Sequence, residues 1–244
     1  MTTNGTAPKI TFYTNHGCPW AHRAHITLKE LGLPYEEVII DLEKPREPWY
    51  LEVNPRGLVP SIKYSNGIVN DEIVTESAIV SQFLADTHPS HLLPASNDGP
   101  TAALTRARIN FFVDTWFTKA GSYWFNILRK DTEEEKETLA REFIAVVEKE
   151  IEPLLKDADP YFGGSKTLTF AEALVAPFIL RIYAYSKNGR FLPKSIQNGL
   201  DSLPNFSKWA AATIAHDSVT YIWDEETVLS KTEARLAKLK AQPK

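Results

Sequence analysis

The chain of 244 residues holds a single cysteine, Cys18, and a single methionine. One thiol excludes an internal disulfide framework. Ala21 stands where a second cysteine would complete C-x-x-C spacing, so a dithiol redox centre is excluded as well. No apolar run reaches the length that spans a bilayer, and Met1 to Pro8 are polar, with no signal-peptide core. With 27 basic against 31 acidic side chains, the net charge of −4 offers no footprint for nucleic acid and no polybasic membrane anchor. There is no internal repeat and no low-complexity tract, only a charged tail of Lys and Glu after Ser230. These absences leave a globular, cytoplasmic protein of one large or two small domains.

What is present gathers around Gly17-Cys18-Pro19-Trp20-Ala21-His22-Arg23. Upstream, Lys9 to Tyr13 alternates polar and apolar as a half-buried strand does. Downstream, Ala21, Ala24, Leu28 and Leu31 mark one face of a helix that Gly32 and Pro34 stop. Pro19 suits the first turn of a helix, where its missing N–H has no partner to lose. Cys18 therefore sits at the positive end of a helix dipole, where a thiolate is stabilised and a lowered pKa is expected. The bland alternative is a small buried hydrophobe.

Tyr35 to Asp41 reads as a second strand, parallel to the first because a helix connects them. Lys44 to Trp49 is a proline-rich connection. Asn54 to Ile62 carries a turn into an apolar strand, and Val59-Pro60 there is a candidate cis bond that would leave the Val59 N–H and C=O free for a ligand. Asn66-Gly67 signals a hairpin between Ile62-Lys63-Tyr64 and Ile68-Val69. Thr75-Glu76-Ser77 opens another helix. Beyond a Pro-, Ser-, Asn- and Gly-rich stretch, the pattern is helical throughout: Ala102 to Lys130, Thr132 to Lys156, Thr169 to Tyr185 and Asn205 to His216. Thr169 to Glu172 is a capping box with a structural job, and Pro177 is expected to bend or loosen its helix. The reading is an α/β domain at 8–88, a linker at 89–100, an all-α domain at 101–231 and a charged tail at 232–244. Of the aromatic residues, Tyr123, Trp124 and Tyr185 carry polar handles and are candidates for lining the pocket of a flat ligand.

Cys18-Pro19, Val59-Pro60, Glu76-Ser77 and the capping box at Thr169, in that order, resemble the glutathione transferases over nearly the whole chain. The resemblance implies a thioredoxin-like N-terminal domain, an all-helical C-terminal domain and a homodimer. It further implies that Glu76 and Ser77 hold the γ-glutamyl end of glutathione, that Val59 pairs with its cysteinyl backbone, and that Arg46 takes its glycyl carboxylate, with Lys44 and Arg56 as competitors. Pro19 and Pro60 complete that glutathione-binding set. Tyr13, Thr14 and His16 stand near the place where other classes carry a serine or tyrosine hydroxyl. Cys18 itself resembles the omega class, whose members form a mixed disulfide with glutathione. The string Cys18 to Arg23 resembles the glutathionyl-hydroquinone reductases, and such variants are common among fungal transferases, a hint of fungal origin.

The expected activity is removal of glutathione from glutathionyl adducts through a Cys18–glutathione mixed disulfide, chemistry that needs no metal. Trp20 would wall the sulfur or stack on an aromatic substrate. His16, His22 and His25 are candidate proton donors, though none has a carboxylate at a readable spacing. The alternatives are conjugation of glutathione to an aromatic electrophile and ligand binding without turnover.

Overall fold

The computed structural model describes residues 7–187 and 189–241. The polar residues 1–6 and the last three residues of the expected tail lie outside the described residues. The chain divides into two compact units after Leu93.

The first unit runs β1 (Lys9–Thr14), α1 (Pro19–Glu30), β2 (Glu36–Ile39), α2 (Pro48–Val53), β3 (Ser61–Ser65), β4 (Glu72–Thr75) and α3 (Ser77–Thr87). Its sheet has the order β2-β1-β3-β4, with β1 and β2 parallel and the other pairs antiparallel. Alternation along β1 sends successive side chains to opposite faces. Ile10 and Phe12 join Ala24, Leu28, Ile62, Tyr64, Val80 and Leu84 in one buried cluster. Tyr13 faces the other way, into a second cluster with Ala21, Ile40, Tyr50 and Val59. Helix α1 stops where the sequence says it should: Gly32 takes φ 61°, a conformation that costs glycine little, and its N–H bonds back to Lys29.

Two local expectations are corrected. The turn at Asn66-Gly67 forms, with the Asn66 side chain accepting from the N–H groups of Ile68 and Val69, but β4 begins at Glu72 and not at Ile68. Ile68 is 89% exposed, and the pairing of Tyr64 with Glu72 keeps Val74 on the buried face instead. The proline-rich connection contains a short helix, α2, whose first position is Pro48.

The second unit runs α4 (Ala102–Thr115), α5 (Tyr123–Leu128), α6 (Glu133–Val146), α7 (Phe170–Ser186), α8 (Lys194–Asp201), α9 (Pro204–Ile214), α10 (Asp217–Thr220) and α11 (Glu225–Ala241). Wide π-helical turns at Trp116–Ala120 and Val147–Ile151 interrupt the two longest apolar patterns. α7 is buried along nearly its whole length and passes through Pro177 without interruption, so the expected loosening does not break it. Its capping box is present, and the Glu172 carboxylate, fully buried, accepts from Thr169 N–H and Oγ1 at 2.8 and 2.5 Å, Phe162 N–H at 2.8 Å and Trp209 Nε1 at 2.6 Å. Residues 232–241 of the expected tail belong to α11. None of the helices among the described residues is long and apolar enough to cross a membrane.

Candidate functional site

Sheet register explains why motifs far apart in sequence meet. Tyr13 pairs with Ser61, and Ser61 with Thr75. One row across β1, β3 and β4 therefore ends just before the turn to Cys18, just after Val59-Pro60, and just before Glu76-Ser77. The three motifs are gathered at one end of the sheet.

Cys18 is the residue that precedes the first turn of α1, and Pro19 follows it at the first helical position. The thiol is half-buried and packs against the cluster of Tyr13, Ala21, Ile40, Tyr50 and Val59. Its backbone N–H donates to Asn15 O at 3.0 Å, which fixes the turn. The Val59–Pro60 peptide is cis, as expected. The loop around it is held by residues that sequence reading missed: the buried Tyr50 hydroxyl and Asn54 Nδ2 donate to Leu58 O at 2.6 and 2.9 Å, and Asn54 Nδ2 also reaches Ser61 Oγ at 3.1 Å. That network clamps Leu58 and Ser61, on either side of Val59-Pro60.

Glu76 is the residue before α3 and has φ 69° and ψ 122°, a backbone conformation that costs a non-glycine residue about 1–3 kcal/mol. Such strain persists where the surroundings over-determine it. Its carboxylate is engaged by Arg56 Nη1 at 2.6 Å on the surface. Ser77 is buried, and its hydroxyl accepts from Arg23 Nη1 at 3.0 Å.

Arg23 is the main residue absent from the sequence reading. It is buried, and its guanidinium lies 4.5 Å from the Trp20 ring centroid. Burial pushes its pKa down to about 9, and the negative charge of Cys18 opposes that shift. One cation thus connects the thiol, the Trp20 ring and the Ser77 hydroxyl. The only sequence signal was its position three residues beyond Trp20, on the same face of α1.

Arg46 is held by the loop that carries Val59. Its Nε donates to Gly57 O at 2.8 Å, and its Nη1 to Asp41 O and Lys44 O at 2.8 and 2.7 Å. These bonds place three of the five guanidinium donors on backbone carbonyls, so Arg46 braces the loop that leads to Val59. A Cβ at Gly57, where φ is 62°, would come within 2.9 Å of Arg46 Cγ, which explains the glycine.

Of the nearby hydroxyls, Thr14 Oγ1 is hydrogen-bonded to His25 Nε2 at 2.9 Å, and Tyr13 is buried in the cluster beneath Cys18. The sequence reading found no carboxylate for the histidines; the structure supplies Glu37, whose Oε1 lies 2.9 Å from His16 Nε2 and 3.7 Å from His25 Nε2. Burial, and then His16, push the His25 pKa down to about 3, so its ring is neutral.

In the second unit, Trp124 and Tyr185 are buried with ring centroids 5.8 Å apart, among Phe125, Phe178 and Phe191. The Tyr185 hydroxyl is hydrogen-bonded to Thr232 Oγ1 at 2.8 Å, within its own unit. Trp124 Nε1 is buried without a hydrogen-bond partner among the described residues, and Tyr123 is half-buried against Phe143.

Residues 17–87 match the family model of the glutathione S-transferase N-terminal domain. The chain is 27% identical over 212 residues to glutathione S-transferase omega-1 of Sus scrofa, covering 86% of this chain and 79% of that protein. The crystal structure of glutathione transferase Omega 2C from Trametes versicolor is similar with a TM-score of 0.77 and 29% identity, covering 94% of this chain and 99% of that one. Rice GST1 in complex with glutathione gives a TM-score of 0.78 at 25% identity, covering 96% and 98%. Fold and site thus define a thioredoxin-like unit followed by a helical unit, the glutathione S-transferase architecture. In sequence and fold the chain is similar to these omega-class glutathione transferases.

Proposed function

We propose that the protein is a glutathione-dependent thiol transferase that removes glutathione from glutathionyl adducts through Cys18. The observation that carries this reading is the buried Arg23 guanidinium, whose charge couples to Cys18 while its Nη1 holds Ser77. A fixed cation beside a sulfur at a helix start favours the thiolate, the form that attacks.

In the first step the Cys18 thiolate attacks the glutathionyl sulfur of an adduct. The S–Cys18 bond forms as the bond from that sulfur to the substrate breaks, and the substrate leaves with the electron pair and takes a proton. A second glutathione thiolate then attacks the mixed disulfide, releasing glutathione disulfide and restoring Cys18. The balance is one adduct plus one glutathione giving one reduced substrate plus one disulfide. Glu76 would receive the ammonium of the γ-glutamyl group, and Ser77, with the N–H groups of the α3 start, its carboxylate. Val59 would pair with the cysteinyl backbone, between Pro60 and the thiol. Arg46, braced against the loop through Nε and Nη1, would take the glycyl carboxylate through Nη2, with Lys44 as its competitor.

The Cys18 to Arg23 string, similar to that of the glutathionyl-hydroquinone reductases, supports an aromatic adduct as substrate, with the exposed Trp20 as the candidate stacking residue. We place the protein in the cytoplasm, as a homodimer. The test is intact-protein mass spectrometry after glutathione disulfide and then excess glutathione. The reading expects an adduct on Cys18 that glutathione removes and that Cys18→Ser does not form. Retained glutathione binding with no adduct would transfer the function to conjugation or to carriage.

A further inference from the structure

Three side chains outside the thiol chemistry converge on one point: His16 from the turn before Cys18, His25 from α1, and Glu37 from β2. The convergence follows from the sheet. Phe12 pairs with Glu37 across the parallel β1–β2 ladder, so Phe12, Thr14, Tyr35 and Glu37 share a face. His25 of α1 packs on that face, with ring centroids 4.6 Å from Phe12 and 6.2 Å from Tyr35. The turn that follows β1 is pinned by Asn15, whose Nδ2 donates to Ile40 O at 2.9 Å while its Oδ1 accepts from Gly17 N–H at 3.0 Å. His16 is thereby held over the same spot, its ring 5.1 Å from that of His25.

We propose that His16, His25 and Glu37 form a binding site for a zinc-type divalent cation, with Nε2 of each imidazole and Oε1 of the carboxylate as ligands. One ligand atom from each residue lies within 4.8 Å of the others. Zinc–nitrogen and zinc–oxygen bonds of about 2.0–2.2 Å separate tetrahedral ligands by about 3.3–3.6 Å. The observed 2.9 and 3.7 Å from Glu37 Oε1 to the two Nε2 atoms bracket that spacing, and the two imidazoles close on the ion from within 4.8 Å of each other.

The chemistry of the donors fits as well. Two imidazoles and a carboxylate suit borderline ions such as Zn2+ and not Mg2+ or Ca2+, which prefer all-oxygen sets. A ligating imidazole must be neutral, so the ion competes with protons for both rings. The His25 side chain is 0% exposed, whereas those of His16 and Glu37 are 46% and 30% exposed, so an ion enters from solvent over the outer two and reaches the inner one. Solvent on that side leaves room for water in the remaining position. Thr14 Oγ1, now bonded to His25 Nε2, must turn aside or join the ion's surroundings. Cys18 does not belong to the cluster, yet it follows His16 by two residues, so a bound ion would tie the turn in front of the thiol to β2.

The test uses untagged, chelator-treated protein carrying Cys18→Ser, which removes the thiol as a rival ligand, titrated with Zn2+ alone against a chromophoric zinc chelator. The expected result is one ion per chain, weakened at least about tenfold by His16→Ala and by Glu37→Gln. Both substituted side chains are partly exposed, so these variants are expected to fold; circular dichroism checks that they do. Co2+ should give visible absorption bands that the same two variants lose. Absence of competition with the chelator, or binding that survives both substitutions unchanged, overturns the proposal.

Discussion

Arg23 in the first unit and Glu172 in the second are both buried ionisable side chains, and the two are used differently. Glu172 in the helical unit is satisfied by two backbone N–H groups, one hydroxyl and one indole, all parts of the unit's own framework. Its carboxylate closes the start of α7 and ties it to Phe162 and to α9. Arg23 in the first unit shares its charge with Cys18, the Trp20 ring and the Ser77 hydroxyl, which are the residues of the candidate site. Burying a charge carries a desolvation cost in both cases. In one unit the return is a closed helix end; in the other it is an electrostatic setting for a thiol.

The sharpest way to break this contrast is to remove each charge and ask what is lost. Glu172→Ala leaves the buried Phe162 N–H and Trp209 Nε1–H without their acceptor, and also removes the reciprocal cap. A loss of about 3 kcal/mol or more is expected, read as a shift in the urea midpoint. Arg23→Met, of similar length and apolar, should leave the midpoint within about 1.5 kcal/mol of the parent, because replacing a buried charge by a well-packed apolar side chain is often near neutral. The rate of Cys18 adduct formation at neutral pH should instead fall about tenfold, with its pH profile displaced upward, since the coupling between cation and thiolate is reciprocal. An Arg23→Met protein that unfolds as readily as Glu172→Ala while reacting at the parental rate would erase the distinction.

How much of this was legible in the sequence depends on the range of the interaction involved. Cys18-Pro19, Val59-Pro60 and Glu76-Ser77 could be read because local turn and helix-start chemistry restricts residue choice. The capping box at Thr169 was legible for the same reason. Arg23 was not singled out, because its meaning comes from Ser77, fifty-four residues away, and from burial that no local pattern reveals. Glu37 was unreadable as a partner of His16 and His25 until strand register set it opposite Phe12. Arg46 shows the converse: an arginine near a carboxylate site invites an ionic role, and only the fold shows that the carbonyls of Asp41, Lys44 and Gly57 also take its Nε and Nη1 donors. Tyr185 was read by its polar handle, and only the packing of α11 against it shows that Thr232 takes the hydroxyl.

The smallest expected effect concerns a group that the first unit buries in neutral form. Burial lowers the pKa of His88, whose Nε2 lies 3.0 Å from the Tyr64 hydroxyl, with the two rings edge to face. The sign follows from linkage. A histidine whose folded pKa lies below its unfolded value near 6.5 adds stability that is complete above that value and is lost as pH falls through the window below it, because the unfolded chain takes up the proton first. His88 is partly exposed, so its share is discounted to less than about 1 kcal/mol. Urea midpoints at pH 7 and pH 5 should therefore show a shallower acid decline for His88→Gln than for the parent, with His25 present in both proteins and cancelling in the difference. The amide of glutamine can still meet the Tyr64 hydroxyl, so the two proteins should agree more closely at pH 7 than at pH 5. Equal declines would mean that His88 carries its proton in the folded protein as easily as in the unfolded one, and that the first unit's sensitivity to acid lies elsewhere.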